Sequence, residues 1–317
     1  MKNGAVHEIV TFGLNAYYWG DPEQDFLLAE GLGPILREAD LRWDLARIWY
    51  DRGTMRGPHI FCLLTSRSDQ AAAAMEFLRA KIAVFIQRHP SNCPLTADQL
   101  AALHRDASGK AFCMADLAEG MAGNNELLVF FQENAEQHYP FRLCSDSRAE
   151  AVWRAWKKAA FWILRQIESA ESLEASAVWF LLACDHLFFK TADARKEYWG
   201  RHIGTLIPNL DRHRLSGEHV QAMACRLVSP QSMERIAAWR EQISSADRPP
   251  QAEELLAIIS QLQSQIAQPL GRDQALLREL IHVSLKQLGI HVVRQIPMIF
   301  TVAALSWPQS KIQAGVS

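Results

Sequence analysis

The stretch from Leu41 to Thr65 constrains the fold of this chain most. Leu41 to Tyr50 and Pro58 to Thr65 read as two strands, each rich in large apolar and β-branched residues. The loop between them, Asp51 to Pro58, carries two Gly and a Pro, the usual breakers between strands. Alternation puts Trp43, Leu45, Arg47 and Trp49 on one face of the first strand and Asp44, Ala46, Ile48 and Tyr50 on the other. In the second strand His59, Phe61, Leu63 and Thr65 share a face. One face of each strand thus mixes large apolar groups with an ionisable one, Arg47 or His59. Packing alone has little need of that mixture.

Around this pair the order of elements is legible. His7 to Tyr18 reads as a strand. Asp21 is placed to cap a helix with Pro22 at its first position, running toward Leu36, with a break or kink expected at Gly31, Gly33 and Pro34. Ser68-Asp69 starts a second helix, amphipathic through Met75, Leu78, Ile82, Phe85 and Ile86, that stops near His89-Pro90. A short helix from Thr96 to His104 follows, then a buried strand at Glu126 to Phe131. Strand, helix, strand, strand, helix, strand is the ferredoxin-like pattern of an antiparallel sheet with helices on one face.

After Ser145 the pattern becomes helical. Segments are expected from Asp146 through Ile167, at Ser172 to Phe189, Gly217 to Leu227, Pro230 to Ile243, Pro250 to Ile266 and Arg272 to Leu288, with Asp247 to Pro250 as a linker. The expected class is α+β: residues 1–145 as a sheet region and 146–317 as a helical region, packed together as one unit.

Composition excludes more than it assigns. A net charge of −2 over 317 residues gives no basic field for nucleic acid. No run reaches membrane-spanning length and no apolar signal core opens the chain, so a cytoplasmic protein is expected. The six Cys (62, 93, 113, 144, 184, 225) form no CxxC and read as buried thiols in a reducing compartment. The eleven His are scattered without metal-ligand spacing, and there is no P-loop, GxGxxG, HExxH or GxSxG, so neither a metal nor an organic cofactor is expected. Ten Trp supply broad rigid surface, for a core or for gripping a peptide.

Two groups of residues carry candidate chemistry. In Val178 to Lys190, Asp185 and His186 fall on the apolar stripe of a helix. A buried acid and imidazole either hydrogen-bond to neighbours and fix packing, or line a water-poor pocket where His186 moves protons near neutral pH. Arg47 and His59 face the same alternative between the sheet edge and a pocket. Tyr50 and Tyr198 are candidate hydrogen-bond donors. Arg195, Lys196, Arg201, Arg212 and Arg214 read as a solvated face, or as a seat for an acidic peptide segment.

Ile48-Trp49-Tyr50, the run Gly57 to Leu63, His138-Tyr139-Pro140-Phe141 and the run His186 to Lys190 together resemble the thiopeptide-type bacteriocin biosynthesis family, which includes the elimination domains of lantibiotic dehydratases. Trp49, Phe61 and Leu63 stand where the eliminating members carry the arginines expected to hold a glutamyl group. The resemblance therefore points to the stand-alone pyridine synthases, which join two dehydroalanines of a leader-bearing peptide in a formal [4+2] cycloaddition with loss of water and leader. It implies the modified precursor peptide as partner, with other pathway enzymes and a second copy of the chain as further candidates, and neither nucleic acid nor membrane. On this reading His186 is acid/base with Asp185 orienting it. Tyr50, Tyr198 and His59 donate to the reacting amide, and Trp49, Phe61, Arg47, Arg56 and Lys190 contact substrate. The alternatives are a glutamate-eliminating lyase using Arg47 and Arg56, and a non-catalytic peptide-binding partner.

Overall fold

The structure, a computed structural model, describes residues 8–53, 57–94, 96, 98–99, 122–131, 149–169, 172–206, 217–266, 272–290 and 292–306. The chain divides into two compact units, Met1–Ala170 and Glu171–Ser317.

In the first unit β1 (Ile9–Tyr17) leads into α1 (Asp21–Phe26). Gly20, not Asp21, is the N-cap; Asp21 already lies in the first turn, and the Gln24 amide donates to the Gly20 carbonyl at 2.9 Å. The expected break at Gly31 to Pro34 takes another form. The helix widens into a π-helical turn (Leu27–Leu32) and resumes as α2 (Gly33–Trp43). Pro34 lacks the N–H that a regular helix would need there, and the change of helix type absorbs the missing bond.

The first expected strand is shorter than its apolar run. Leu41 to Trp43 finish α2, Asp44 turns the chain in the left-handed conformation (φ 43°), and β2 is Arg47–Gly53. Trp43 therefore does not share a face with Trp49; its ring packs on Phe77 at 5.2 Å. Over so few residues the helical and strand periods fit equally well, and only the turn at Asp44 separates them. β3 (His59–Arg67), α3 (Ser68–Arg88) and β4 (Glu126–Phe131) follow, with Arg67 rather than Ser68 as the cap of α3. Thr96 and Gln99 exchange hydrogen bonds as a capping box, with Thr96 N to Gln99 Oε1 at 2.9 Å and Gln99 N to Thr96 Oγ1 at 3.2 Å.

The sheet order is β2-β3-β1-β4, antiparallel throughout. With this connectivity it is the expected ferredoxin-like arrangement. One face carries Phe12, Leu14, Ala16, Ile48, Tyr50, Ile60, Cys62 and Leu64, all buried, and α3 packs on it through Ala74, Leu78 and Ile82. Cross-strand pairs Trp49–Leu63, Asp51–Phe61 and Gly53–His59 lie on the opposite face. α4 (Ala149–Glu168) packs on β2 and sets Trp153 and Trp156 against Trp49. Lys157 fixes it, donating to Asp40 Oδ1 at 3.0 Å and to the Leu45 carbonyl at 2.8 Å. Composition changes at 145/146, yet the compact units divide one helix later, because the tryptophans of α4 belong to the sheet's core.

The second unit is helical: α5 (Leu173–Phe188), α6 (Ala192–Leu206), α7 (Gly217–Leu227), α8 (Pro230–Ser244), α9 (Pro250–Ile266), α10 (Arg272–Gln287) and α11 (Val292–Ala304). α6 and α11 were not among the expected segments; α6 is strongly charged and α11 contains Pro297, both of which mask a helical pattern. Ser172 and Ser229 cap α5 and α8, accepting from Ala175 N at 3.3 Å and Ser232 N at 3.2 Å. α5 is central, with α8, α9, α10 and α11 all packed on it. It is buried almost all round from Ser176 to Asp185, as a helix without a strong polar face should be. No helix among the described residues is long and apolar enough to cross a membrane.

Candidate functional site

On the sheet face opposite α3 the ionisable and aromatic groups are held in fixed relation. His59 is buried, its ring 5.0 Å from that of Tyr17. Its Nδ1 donates to the Gly57 carbonyl at 2.8 Å, the tautomer that this acceptor requires. Nε2 then lies over Gly53, where a Cβ would stand 2.2 Å from it. Only glycine opposite His59 lets the ring lie flat there. Phe61 stacks on Phe130 with ring centroids 6.1 Å apart and planes 8° from parallel. The two come from strands that flank β1, and Phe130 crosses β1 at Gly13, where a Cβ would meet the ring at 2.6 Å. The result is a half-buried aromatic platform. Trp49 is instead buried, 5.3 Å from Trp156 and 6.3 Å from Trp153, and the Arg47 guanidinium sits 5.6 Å from the Trp153 ring.

Tyr50 lies on the other, α3-covered face, fully buried, and burial holds its phenol well above the ordinary range. It is not brought beside His59. Arg56 and the segment His138 to Phe141 lie outside the described residues. Cys62 and Cys184 are buried, and desolvation raises both thiols; Cys225, expected inside, is exposed.

In the second unit Asp185 is buried at the last turns of α5, and three side chains converge on its carboxylate. Trp199 Nε1 donates to Oδ1 at 2.8 Å, while Arg195 Nε and Arg240 Nη2 each stand 3.4 Å from Oδ2. Burial raises the Asp185 carboxyl, and the Trp199 bond and the arginines pull against that rise. The carboxylate is thus directed at Trp199 and the two guanidiniums. His186 points another way. It is half-buried, with Nδ1 3.4 Å from Ser244 Oγ. Its pKa is lowered below the usual value by burial first, then by the guanidiniums of Arg248 and Arg195, against the opposing pull of Asp185. A neutral imidazole beside cations is a proton acceptor available at neutral pH.

Tyr198 is buried with its ring 4.6 Å from Phe189, and its hydroxyl lies 3.5 Å from Nδ1 of buried His202. Desolvation, aided by Arg278 and His282, lowers His202 to about 4. Lys190 is exposed. The structure therefore groups Asp185, His186 and the arginines, and separately Tyr198 with His202. Arg195 turns inward rather than lying on a solvated face; Lys196 and Arg201 pair with Asp193 and Glu197 on α6 itself, at 3.6 and 2.5 Å.

Trp199, Arg240, Arg248 and His202 were not singled out by the sequence. Spacing offered a signal: Arg195 with Trp199 and Tyr198 with His202 are one helical turn apart, so each pair shares a face of α6. Two hollows lie among the described residues elsewhere. One of about 310 Å³ lies at the N-terminal end of α5, lined by Val178, Ile236, Trp239 and Met298 with Arg235 and Arg294. The other, of about 490 Å³, is polar and includes Tyr18, Glu23, Arg88 and His89. Neither is lined by His186 or His59.

The sequence matches no family model and no curated protein. Solved structures do match. The pyridine synthase TbtD from thiomuracin biosynthesis superposes with a TM-score of 0.69 at 14% identity, over 93% of this chain and 97% of that one. TsrL gives a TM-score of 0.55 at 15% identity over 94% of each chain. The tRNA-dependent lantibiotic dehydratase MibB from Microbispora sp. 107891 gives 0.51 at 13% identity, over 96% of this chain but 28% of its own. The chain accordingly has the α+β fold shared by a thiopeptide pyridine synthase and part of a lantibiotic dehydratase.

Proposed function

We propose that this protein modifies a ribosomally made peptide, and that it is a stand-alone pyridine synthase joining two dehydroalanines with loss of water and leader. The observation that carries this reading is the near end-to-end correspondence with TbtD, against the 28% of the dehydratase that the chain matches. The sheet face supports it. Trp49, Phe61 and Leu63 share that face and put aromatic and aliphatic groups where glutamate recognition would call for guanidinium groups, while the Arg47 guanidinium of the same face rests against the Trp153 ring.

The chemistry asked of the protein is mainly orientation: two distant alkenes of a flexible peptide must meet. The Phe61–Phe130 platform offers a flat apolar surface on which planar heterocycles and alkenes of such a peptide can stack. His59 is fixed on the same face, its Nδ1 donating to the Gly57 carbonyl and its ring lying over Gly53. His186 is the proton carrier, kept neutral by its surroundings. Asp185 acts through the arginines beside His186 rather than through a bond to the imidazole. Tyr50 and Tyr198 fit packing roles better than donation to substrate, since each is buried and the Tyr198 hydroxyl faces Nδ1 of buried His202.

The test is to incubate the protein with a leader-bearing peptide containing two dehydroalanines and follow masses. Loss of water together with release of the leader as its amide is the expected result. A peptide that binds but keeps its mass would remove the cyclising reading.

A further inference from the structure

Among the described residues around His186, guanidinium groups outnumber carboxylates. Arg195 and Arg240 approach Asp185 Oδ2 from α6 and α8, and Arg248 follows α8, its Nε donating to the Ser245 carbonyl at 3.1 Å. Arg195, Arg240 and Arg248 bear on His186, with Asp185 as the one carboxylate among the groups that do so. Among these described groups three guanidiniums stand against one carboxylate, at a half-buried place. Asp185 is itself inaccessible, already occupied by Trp199 on Oδ1. Of the neighbouring elements, α8 brings the neutral Ser244 to His186, and α9 brings Gln263, which donates to the Leu187 carbonyl at 2.5 Å.

Like charges held this close in a partly desolvated site are costly unless an anion joins them. The planar fork of a guanidinium matches a carboxylate, which takes two N–H bonds at once. We propose that Arg195, Arg240 and Arg248 form a subsite beside His186 that binds a carboxylate of the peptide substrate. The subsite rests on the peptide-modifying reading above. A seated carboxylate would anchor the peptide next to the imidazole, so that recognition and proton transfer are linked through the same three cations.

Binding is measured on the whole protein, without turnover, by following the His186 ring signals in ¹H–¹⁵N NMR. The probes are N-acetyl-glutamate α-amide, which carries a side-chain carboxylate, N-acetyl-alanine, which carries a terminal one, and N-acetyl-glutamine α-amide as the neutral control. At least one carboxylate probe is expected to bind ten times or more tighter than the glutamine control and to raise the pKa of His186. The tighter of the two identifies the source as side chain or terminus. Arg248→Gln, in a loop and not bonded to Asp185, should weaken that probe about tenfold. Equal binding of the glutamine control, an unchanged affinity in Arg248→Gln, or a response to inorganic phosphate alone would overturn the subsite. Because no reaction is read, a protein that fails to cyclise can still bind the probe, and one that cyclises can still fail to bind it.

Discussion

The two units hold their central side chains in place by different physics. In the first, position comes from flat apolar contact: Trp49 wedged against Trp156 and Trp153, and Phe130 laid over Gly13 onto Phe61. In the second it comes from charge and hydrogen bonds around one buried carboxylate. Aromatic contact is tolerant of pH and salt and intolerant of lost volume. A buried ionic centre is the reverse: it survives modest changes of shape but not the loss of one partner. The difference predicts how each unit fails.

The largest expected effect is in the first unit. Trp49→Ala removes a buried indole between two others and should cost about 3–5 kcal/mol in urea unfolding. Trp49→Phe keeps an aromatic plane and should cost less than half of that. A small loss for the alanine variant would show that α4 and the sheet are not held by this cluster.

Next is the centre of the second unit. Asp185→Ala strands Arg195 and Arg240 and leaves Trp199 Nε1 without its acceptor, at about 3 kcal/mol, the low end for a buried pair because both arginines retain some solvent. Asp185→Asn keeps an acceptor for Trp199 and should recover part of the loss. If alanine and asparagine cost the same, charge is not what the centre contributes.

The two units also differ in pH response, through His202. Its folded-state pKa of about 4 lies below the unfolded value near 6.5, so the fold keeps it neutral. Its contribution is fully present above pH 6.5 and is lost as pH falls from 6.5 toward 4, where the unfolded chain gains a proton the folded one refuses. The window corresponds to roughly 3 kcal/mol. Unfolding of wild type and His202→Asn compared across pH 4 to 7 should show a shallower slope in the variant. Trp49→Ala, by contrast, should shift the whole curve without changing its slope.

The same contrast explains what the sequence revealed. Strand order, the helix at Ser68 and most helices of the second half follow from periodicity and caps, which are local. The face shared by Trp49, Phe61 and Leu63 followed from alternation on two runs. Leu41 to Trp43 were misplaced because the end of α2 hangs on one left-handed residue, Asp44. The ionic centre was half visible. Asp185 and His186 stood out as polar groups on an apolar helix, but their partners lie on α6 and α8, and no local pattern says which of many arginines turns inward. The orientation of Asp185 toward Trp199 rather than His186 is likewise a tertiary fact.

The smallest stability effect is expected where the chemistry is proposed. His186 is half-buried, and its one described hydrogen bond reaches exposed Ser244 at 3.4 Å, so His186→Ala should change unfolding free energy by no more than about 0.5 kcal/mol. If His186 carries a proton in the reaction, turnover should nonetheless fall about 10²–10⁴-fold with little change in peptide affinity. Its lowered pKa adds a sharper readout. The neutral imidazole is the base, so turnover should rise with pH to a plateau through a midpoint below 6.5. Arg248→Gln removes the charge that most depresses that pKa, and should move the midpoint upward. A midpoint that stays put in Arg248→Gln would detach the pH dependence from His186, and a variant that loses stability but not turnover would make residue 186 a packing group like Trp49.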